Sequence, residues 1–176
     1  NPTGAIASMK FFEEAVLFAR QHHLLLAHDA PYTDVCFDHY HAPSLLQVPG
    51  AKEVAVEFNS LSKTYNIAGW RLGMAVGNAE VIEYLSTYKS QMDTSNFAPV
   101  FAAGVTALTS DQAWLEERNA LYQERRDLVV NGLRAAGLSV DTPKAAIYVW
   151  AGLPAGENDS IRFCNRMLEE TGVSTT

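Results

Sequence analysis

Thiols are scarce: Cys36 and Cys164 are the only two cysteines among 176 residues. They stand far apart, without metal-ligand spacing. A disulfide scaffold and a zinc ribbon are thereby excluded, and reduced thiols in a cytoplasmic protein are expected. Positive charge is also short. Lys and Arg number 13 against 20 Asp and Glu, a net charge of −7. That is the wrong sign for nucleic acid or an anionic membrane as main partner. No run of about 18 apolar residues occurs, so no membrane span is expected. Internal repeats, low-complexity tracts and long flexible linkers are missing too. The five histidines form no ligand set, and no metal is expected. Asn158-Asp159-Ser160 matches a glycosylation sequon, a tripeptide that arises readily by chance. Hydrophobic residues at 48% and charged residues at 19% point to a folded chain with a real core.

What is present gathers in a few short stretches. Residues 54–58, apolar and β-branched, read as a strand. They lead into Ser60-Leu61-Ser62-Lys63, and Arg71 follows within Gly69-Trp70-Arg71-Leu72-Gly73. One amine, two hydroxyls and one guanidinium thus share a glycine-marked loop at a strand's carboxyl end, where open parallel sheets bind ligands. A desolvated lysine is a nucleophile, and guanidinium grips phosphate in bidentate fashion. Upstream, the apolar run 24–27 reads as a buried strand ending in His28-Asp29-Ala30-Pro31-Tyr32. Asp29 then sits at the same edge as Lys63, and a buried carboxylate there needs a positive or donor partner. His28 should point to the opposite face and reads as structural. Cys36 reads as a quiet buried thiol. Asn1-Pro2-Thr3-Gly4 has the composition of a turn.

Taken in order, Asn1-Pro2-Thr3-Gly4, Asp29-Ala30-Pro31-Tyr32, Ser60-Leu61-Ser62-Lys63 and Gly69-Trp70-Arg71-Leu72-Gly73 resemble the signature of fold-type I, pyridoxal-phosphate-dependent aminotransferases of class I/II. The resemblance covers essentially the whole chain. Ser62-Lys63-Thr64-Tyr65-Asn66 with Gly69-Trp70-Arg71 is most similar to the branch containing LL-diaminopimelate aminotransferases. The resemblance implies roles. Lys63 would join the cofactor aldehyde and later carry the substrate α-proton. Asp29 would pair with the pyridine nitrogen. Asn1 and Tyr32 would hydrogen-bond the ring's 3-oxygen. Ser60, Ser62 and Arg71 would hold the phosphate of pyridoxal 5'-phosphate. It also implies amino-acid and 2-oxo-acid substrates, with LL-diaminopimelate and 2-oxoglutarate suggested by the branch and aspartate, alanine or aromatic donors staying open, and a homodimer with active sites at the subunit interface. Two other functions stay open on the same scaffold: a cofactor-binding module of a transcription regulator, and a decarboxylase, lyase or synthase. Ser60-x-x-Lys63 alone also fits penicillin-recognising hydrolases, but their Ser-Asp-Asn and Lys-Thr-Gly elements are missing, and Lys63-Thr64 runs into Tyr65.

The expected fold is α/β, part of an aspartate-aminotransferase-like large domain with a mostly parallel sheet flanked by helices, plus the start of a small α+β domain. The boundary falls at Gly137, giving 1–137 and 138–176. Ser8 caps a helix to about residue 22, burying Phe11, Phe12, Ala15, Val16 and Ala19. Strands are expected at 24–28, 54–58 and 72–76, and helices at 79–92 and 97–109. Ser110 caps a long helix to about 136, with Trp114, Leu121 and Leu128 as a core stripe. Two small-domain strands follow at 138–140 and 147–150. Ser160 caps a last helix from 161 to 170, and another strand begins near the end. Family members are much longer, so the resemblance implies a fragment, inactive alone. It would lack the ring-stacking aromatic and the arginine for the substrate carboxylate.

Overall fold

The computed structural model describes residues 1–175. Its first helix, α1 (Met9–Gln21), starts where Ser8 Oγ accepts the Phe11 amide at 3.2 Å, a cap that contributes about 1 kcal/mol. The spacing of Phe12, Val16 and Ala19 puts them on one buried face, whereas Phe11 is 59% exposed. Phe11 lies one residue, about 100°, off that stripe. Phe12 and Val16 pack with Leu45, Val48, Ala51 and Ala55, each large side chain stabilising the fold by about 2 kcal/mol.

Three strands form one sheet in the order β1-β2-β3. Strand β1 (Leu26–Asp29) runs parallel to the central strand β2 (Ala55–Ser60), with Leu26 beside Ala55 and Asp29 beside Phe58. Leu24 and Leu25, expected inside a buried strand, precede β1 and are about half exposed. Strand β3 (Gly73–Gly77) is antiparallel to β2, pairing Gly73 with Ser60 and Gly77 with Val56. A Cβ on Gly77 would lie 2.3 Å from the Ala55 carbonyl oxygen, so only glycine permits this closeness. The carboxyl ends of β1 and β2 and the start of β3 therefore share one edge.

Glu57 in β2 is buried at 4% exposure. Its Oε2 accepts from His28 Nδ1 at 3.0 Å, Ser44 Oγ at 2.9 Å and the Leu45 amide at 3.0 Å. Its Oε1 accepts from Asn59 Nδ2 at 3.0 Å. One carboxylate thus ties β1, β2 and the 44–45 turn together. Burial alone would raise its pKa. The hydrogen bonds from Asn59, His28 and Ser44 outweigh that and hold it below the usual carboxylate range.

Short helices α2 (Ala51–Val54) and α3 (Leu61–Thr64) flank β2. Helices α4 (Ala79–Met92) and α5 (Ala98–Thr109) fall where expected. Helix α6 (Trp114–Ala135) ends at Gly137, which takes a φ of +86°. Ser110 does not cap α6. Its amide and hydroxyl both donate to Thr106 at the end of α5, and Asp111 Oδ1 receives the Ala113 amide instead. The apolar stripe of α6 is also not core: Trp114, Leu121 and Leu128 are 38%, 45% and 67% exposed. Arg118, Arg126 and Val130 are buried in their place, because this face meets loop carbonyls rather than an apolar layer. Arg126 grips Asp38 with two nitrogens, at 2.6 and 3.0 Å, and donates to the Pro143 carbonyl at 2.9 Å.

Of the strand expected at 138–140 only Val140 pairs, in an isolated bridge with Ala151, and no strand or bridge forms at 147–150; the other isolated bridge joins Cys36 to Ala145. Ala146 adopts a φ of +68° and interrupts the extended chain. Its amide bonds Val35, and Lys144 accepts from the Phe37 amide. The last helix, α7 (Ser160–Thr171), is capped by Asp159, whose Oδ1 accepts the Arg162 amide at 3.0 Å, not by Ser160. No strand forms at 173–175, and residue 176 lies outside the described residues. Among the described residues no helix is long and apolar enough to cross a membrane.

Replacing Glu57 by Gln removes the charge and supplies too few acceptor sites for four donors. Urea unfolding of the intact protein at pH 7 should show a loss of about 2 kcal/mol. A depressed carboxylate pKa stabilises the fold above the unfolded value near 4.3 and is lost as pH falls through the folded value. The acid-side decline in stability should therefore be shallower in Glu57→Gln than in the wild type.

Candidate active site

The sheet edge defined by the ends of β1 and β2 carries the candidate groups. Asp29 is the last residue of β1, and the Ala30 amide still donates to the Phe58 carbonyl at 2.8 Å. That bond extends the parallel pairing one step and aims the 30–33 turn away from the sheet. Thr33 Oγ1 donates to Asn59 Oδ1 at 3.3 Å and fastens the turn to β2. Asp29 was expected to be buried. It is exposed and accepts no hydrogen bond among the described residues. Asn1, Asp29 and Tyr32 line one cavity of about 150 Å³, together with Gly4, His28 and Ala146.

At the end of β2, Ser60 Oγ accepts the Ser62 amide at 3.2 Å and opens α3. Ser62 is buried and Lys63 half-buried. Arg71 has a φ of +54°, and its Nη1 donates to the Ala68 carbonyl at 3.0 Å. It is exposed and sits two residues before β3, whose first residue pairs with Ser60. Among the described residues, neither Lys63 nor Arg71 is in an ion pair. An unpaired amine and an unpaired guanidinium beside two hydroxyls suit a ligand with a phosphate and an aldehyde. Ser60, Ser62, Lys63 and Arg71 are not walls of the Asn1–Asp29–Tyr32 cavity, so the seven residues form two clusters on one edge. A larger hollow of about 570 Å³, between His39, Tyr40 and Gln123, contains none of them.

Residues not singled out from the sequence hold this edge together. Arg118 of α6 donates to the carbonyls of Asp34 at 2.7 Å and Lys63 at 3.2 Å, and to that of Thr64. Thr64 Oγ1 also donates to Asp34 Oδ2 at 2.9 Å. The turn after β1 is thereby locked to the turn that carries Lys63. The spacing of Arg118, Tyr122, Arg126 and Val130 marks one helical face and could have signalled this role. The Tyr32 hydroxyl lies 2.8 Å from that of Tyr148, a pairing across 116 residues that no local pattern announces. Burial first, and then the bond to Tyr148, push the Tyr32 phenol up to about 12. Burial also raises the Cys36 thiol, whose Sγ donates to the Thr33 carbonyl at 3.2 Å; it was expected to be buried and is half-buried.

The sequence profile described as "Aminotransferase class I and II" matches residues 1–176. This chain belongs to that aminotransferase family. It is 51% identical over 176 residues to the LL-diaminopimelate aminotransferase of Moorella thermoacetica, covering 100% of this chain and 45% of that protein. It is 45% identical over 173 residues to LL-diaminopimelate aminotransferase 2 of Trichormus variabilis, covering 98% and 44%. This aminotransferase chain thus spans less than half the length of these relatives. Among solved structures, the probable N-succinyldiaminopimelate aminotransferase of Thermus thermophilus superposes with a TM-score of 0.92 at 42% identity, covering 99% of this chain and 46% of that one. Substrate-bound BacF from Bacillus subtilis gives 0.94 at 33% identity, covering 100% and 45%. The aspartate-aminotransferase-like α/β fold follows from these likenesses.

Arg118→Met would leave the Thr64 and Lys63 carbonyls short of donors. Urea unfolding should register a loss of roughly 3 kcal/mol, with Arg118→Lys recovering only part of it. A loss below about 0.5 kcal/mol would contradict the clamp.

Proposed function

We propose that this chain carries the lysine-bearing part of a pyridoxal 5'-phosphate site. The parent enzyme transfers an amino group between an amino acid, with LL-diaminopimelate the leading donor, and a 2-oxo acid such as 2-oxoglutarate. The observation that carries this reading is that a carboxylate, an amine and a guanidinium, none of them in an ion pair among the described residues, stand along one sheet edge in a chain of the aminotransferase family. The names of its relatives, at 45–51% identity, favour the donor.

Pyridoxal phosphate, when bound, supplies an electron sink for the charge left by a departing α-proton. The residues of this chain would do the rest. Lys63 would hold the cofactor aldehyde and, once released, move the proton at the substrate α-carbon. Asp29, open to the cavity, would keep the ring nitrogen protonated, since opposite charge favours the charged form. Asn1 and Tyr32 would donate to the ring's 3-oxygen, and the raised pKa of Tyr32 keeps its proton in place at neutral pH. Ser60, Ser62 and Arg71 would grip the phosphate and so fix the reacting carbon near Lys63. We read residues 1–137 as the later part of the cofactor-binding domain and 138–176 as the beginning of the small domain. A cytoplasmic homodimer is the expected assembly.

Borohydride reduction of the intact protein with pyridoxal phosphate, followed by peptide mapping, should place the cofactor on Lys63. Lys63→Ala should abolish the reducible link while some phosphate-dependent binding remains. A link that survives in Lys63→Ala would overturn the assignment. Asp29→Ala should keep the link yet slow turnover by about a hundredfold or more, the scale of a lost active-site electrostatic contact.

A further inference from the structure

Tyr148 lies behind the site and belongs to the segment after Gly137. Its hydroxyl is 2.8 Å from the Tyr32 hydroxyl. The two rings meet edge to face, with centroids 5.7 Å apart at 79°. Among the described residues neither hydroxyl has another hydrogen-bond partner. Tyr32 is a wall of the cavity shared with Asn1 and Asp29, and Tyr148 is not. The segment carrying Tyr148 is itself fixed: the Ala146 amide donates to Val35 and the Phe37 amide to Lys144, both at 2.9 Å. It also borders the Asn1 turn, where a Cβ on Gly4 would come within 2.9 Å of Pro143 Cβ and 3.9 Å of the Tyr148 carbonyl oxygen.

We propose that Tyr148 is a positioning residue, whose hydroxyl holds the Tyr32 phenol in place as a donor at the cavity wall. The proposal rests on the reading of the cavity as the cofactor's 3-oxygen end. A phenol has one proton and two acceptor sites. When Tyr148 donates, Tyr32 accepts and keeps its own proton for an oxygen in the cavity. With the cavity empty the Tyr32 proton turns to the Tyr148 oxygen, and burial, that bond and a smaller push from the Asp29 carboxylate keep it on up to about 12; with an oxygen in the cavity the pair reverses and Tyr148 donates. A donor held this way favours the ionised form of a pyridoxal 3-oxygen.

Tyr148→Phe removes one oxygen and keeps the ring. Two measurements on the intact protein test it. In the cofactor-free protein, with ¹³C-labelled tyrosine and Tyr32 assigned through Tyr32→Phe, the Tyr32 titration should fall below about 12 as the bond to Tyr148 is lost, while burial, which the variant keeps, still holds it above the ordinary phenol value. In the loaded protein, the pH midpoint of the cofactor's visible band should rise by about half a unit or more. The double variant should rise no further than Tyr32→Phe alone, because the two residues act as a unit. A structural tie alone would lower the melting temperature and leave the Tyr32 titration and the band midpoint at their wild-type values, which would overturn the proposal. Failure of the wild type to bind pyridoxal phosphate would instead overturn the site reading beneath it, whatever the cofactor-free titration shows.

Discussion

The parallel register of β1 on β2, with His28 beside Glu57 and Asp29 beside Phe58, decides where every candidate group stands. A slip of one residue would turn each side chain of β1 to the other face. Asp29 would then face the buried Glu57, and two carboxylates would share one desolvated space. The His28–Glu57 hydrogen bond at 3.0 Å penalises that slip. Because the register holds, β1 and β2 end together, β3 starts beside them, and loops from all three meet at one edge.

Buried charge serves as the fastening elsewhere. Glu57, Arg118 and Arg126 are all less than 8% exposed, and each spends its charge on several partners. Desolvating such groups is costly, and only complete hydrogen bonding offsets it. No buried side-chain nitrogen or oxygen among the described residues lacks a partner. The division of labour is clear. Phe12, Val16 and Leu45 supply apolar burial on one side of the sheet, while Arg118 and Arg126 fix loops to α6. Those loops are the ones bearing Tyr32 and Lys63, so the polar fastenings carry the geometry of the site.

The motifs were legible because each is a short stretch whose chemistry and turn are local. Ser60 both ends a strand and caps a turn, and Arg71 stands between Gly69 and Gly73. Helix α1 was legible from Ser8 and the spacing of Phe12, Val16 and Ala19. Elsewhere local signals misled. Ser110 is a sound cap by composition, yet the end of α5 claims it. The 147–150 run has strand composition, yet its neighbours bond the 35–37 loop. The seven-residue stripe of α6 is apolar but faces outward, since the opposite face has loop carbonyls to satisfy. Arg118 and Tyr148 act across 54 and 116 residues, a range over which one sequence carries no local signal.

A crystal structure of the intact protein with pyridoxal phosphate tests the central claim most directly. The account predicts the ring nitrogen within about 3 Å of an Asp29 oxygen, the phosphate against Ser60, Ser62 and Arg71, and continuous density from Lys63 to the cofactor. Cofactor bound away from this edge, or bound here with Asp29 and Arg71 both out of contact, would contradict it.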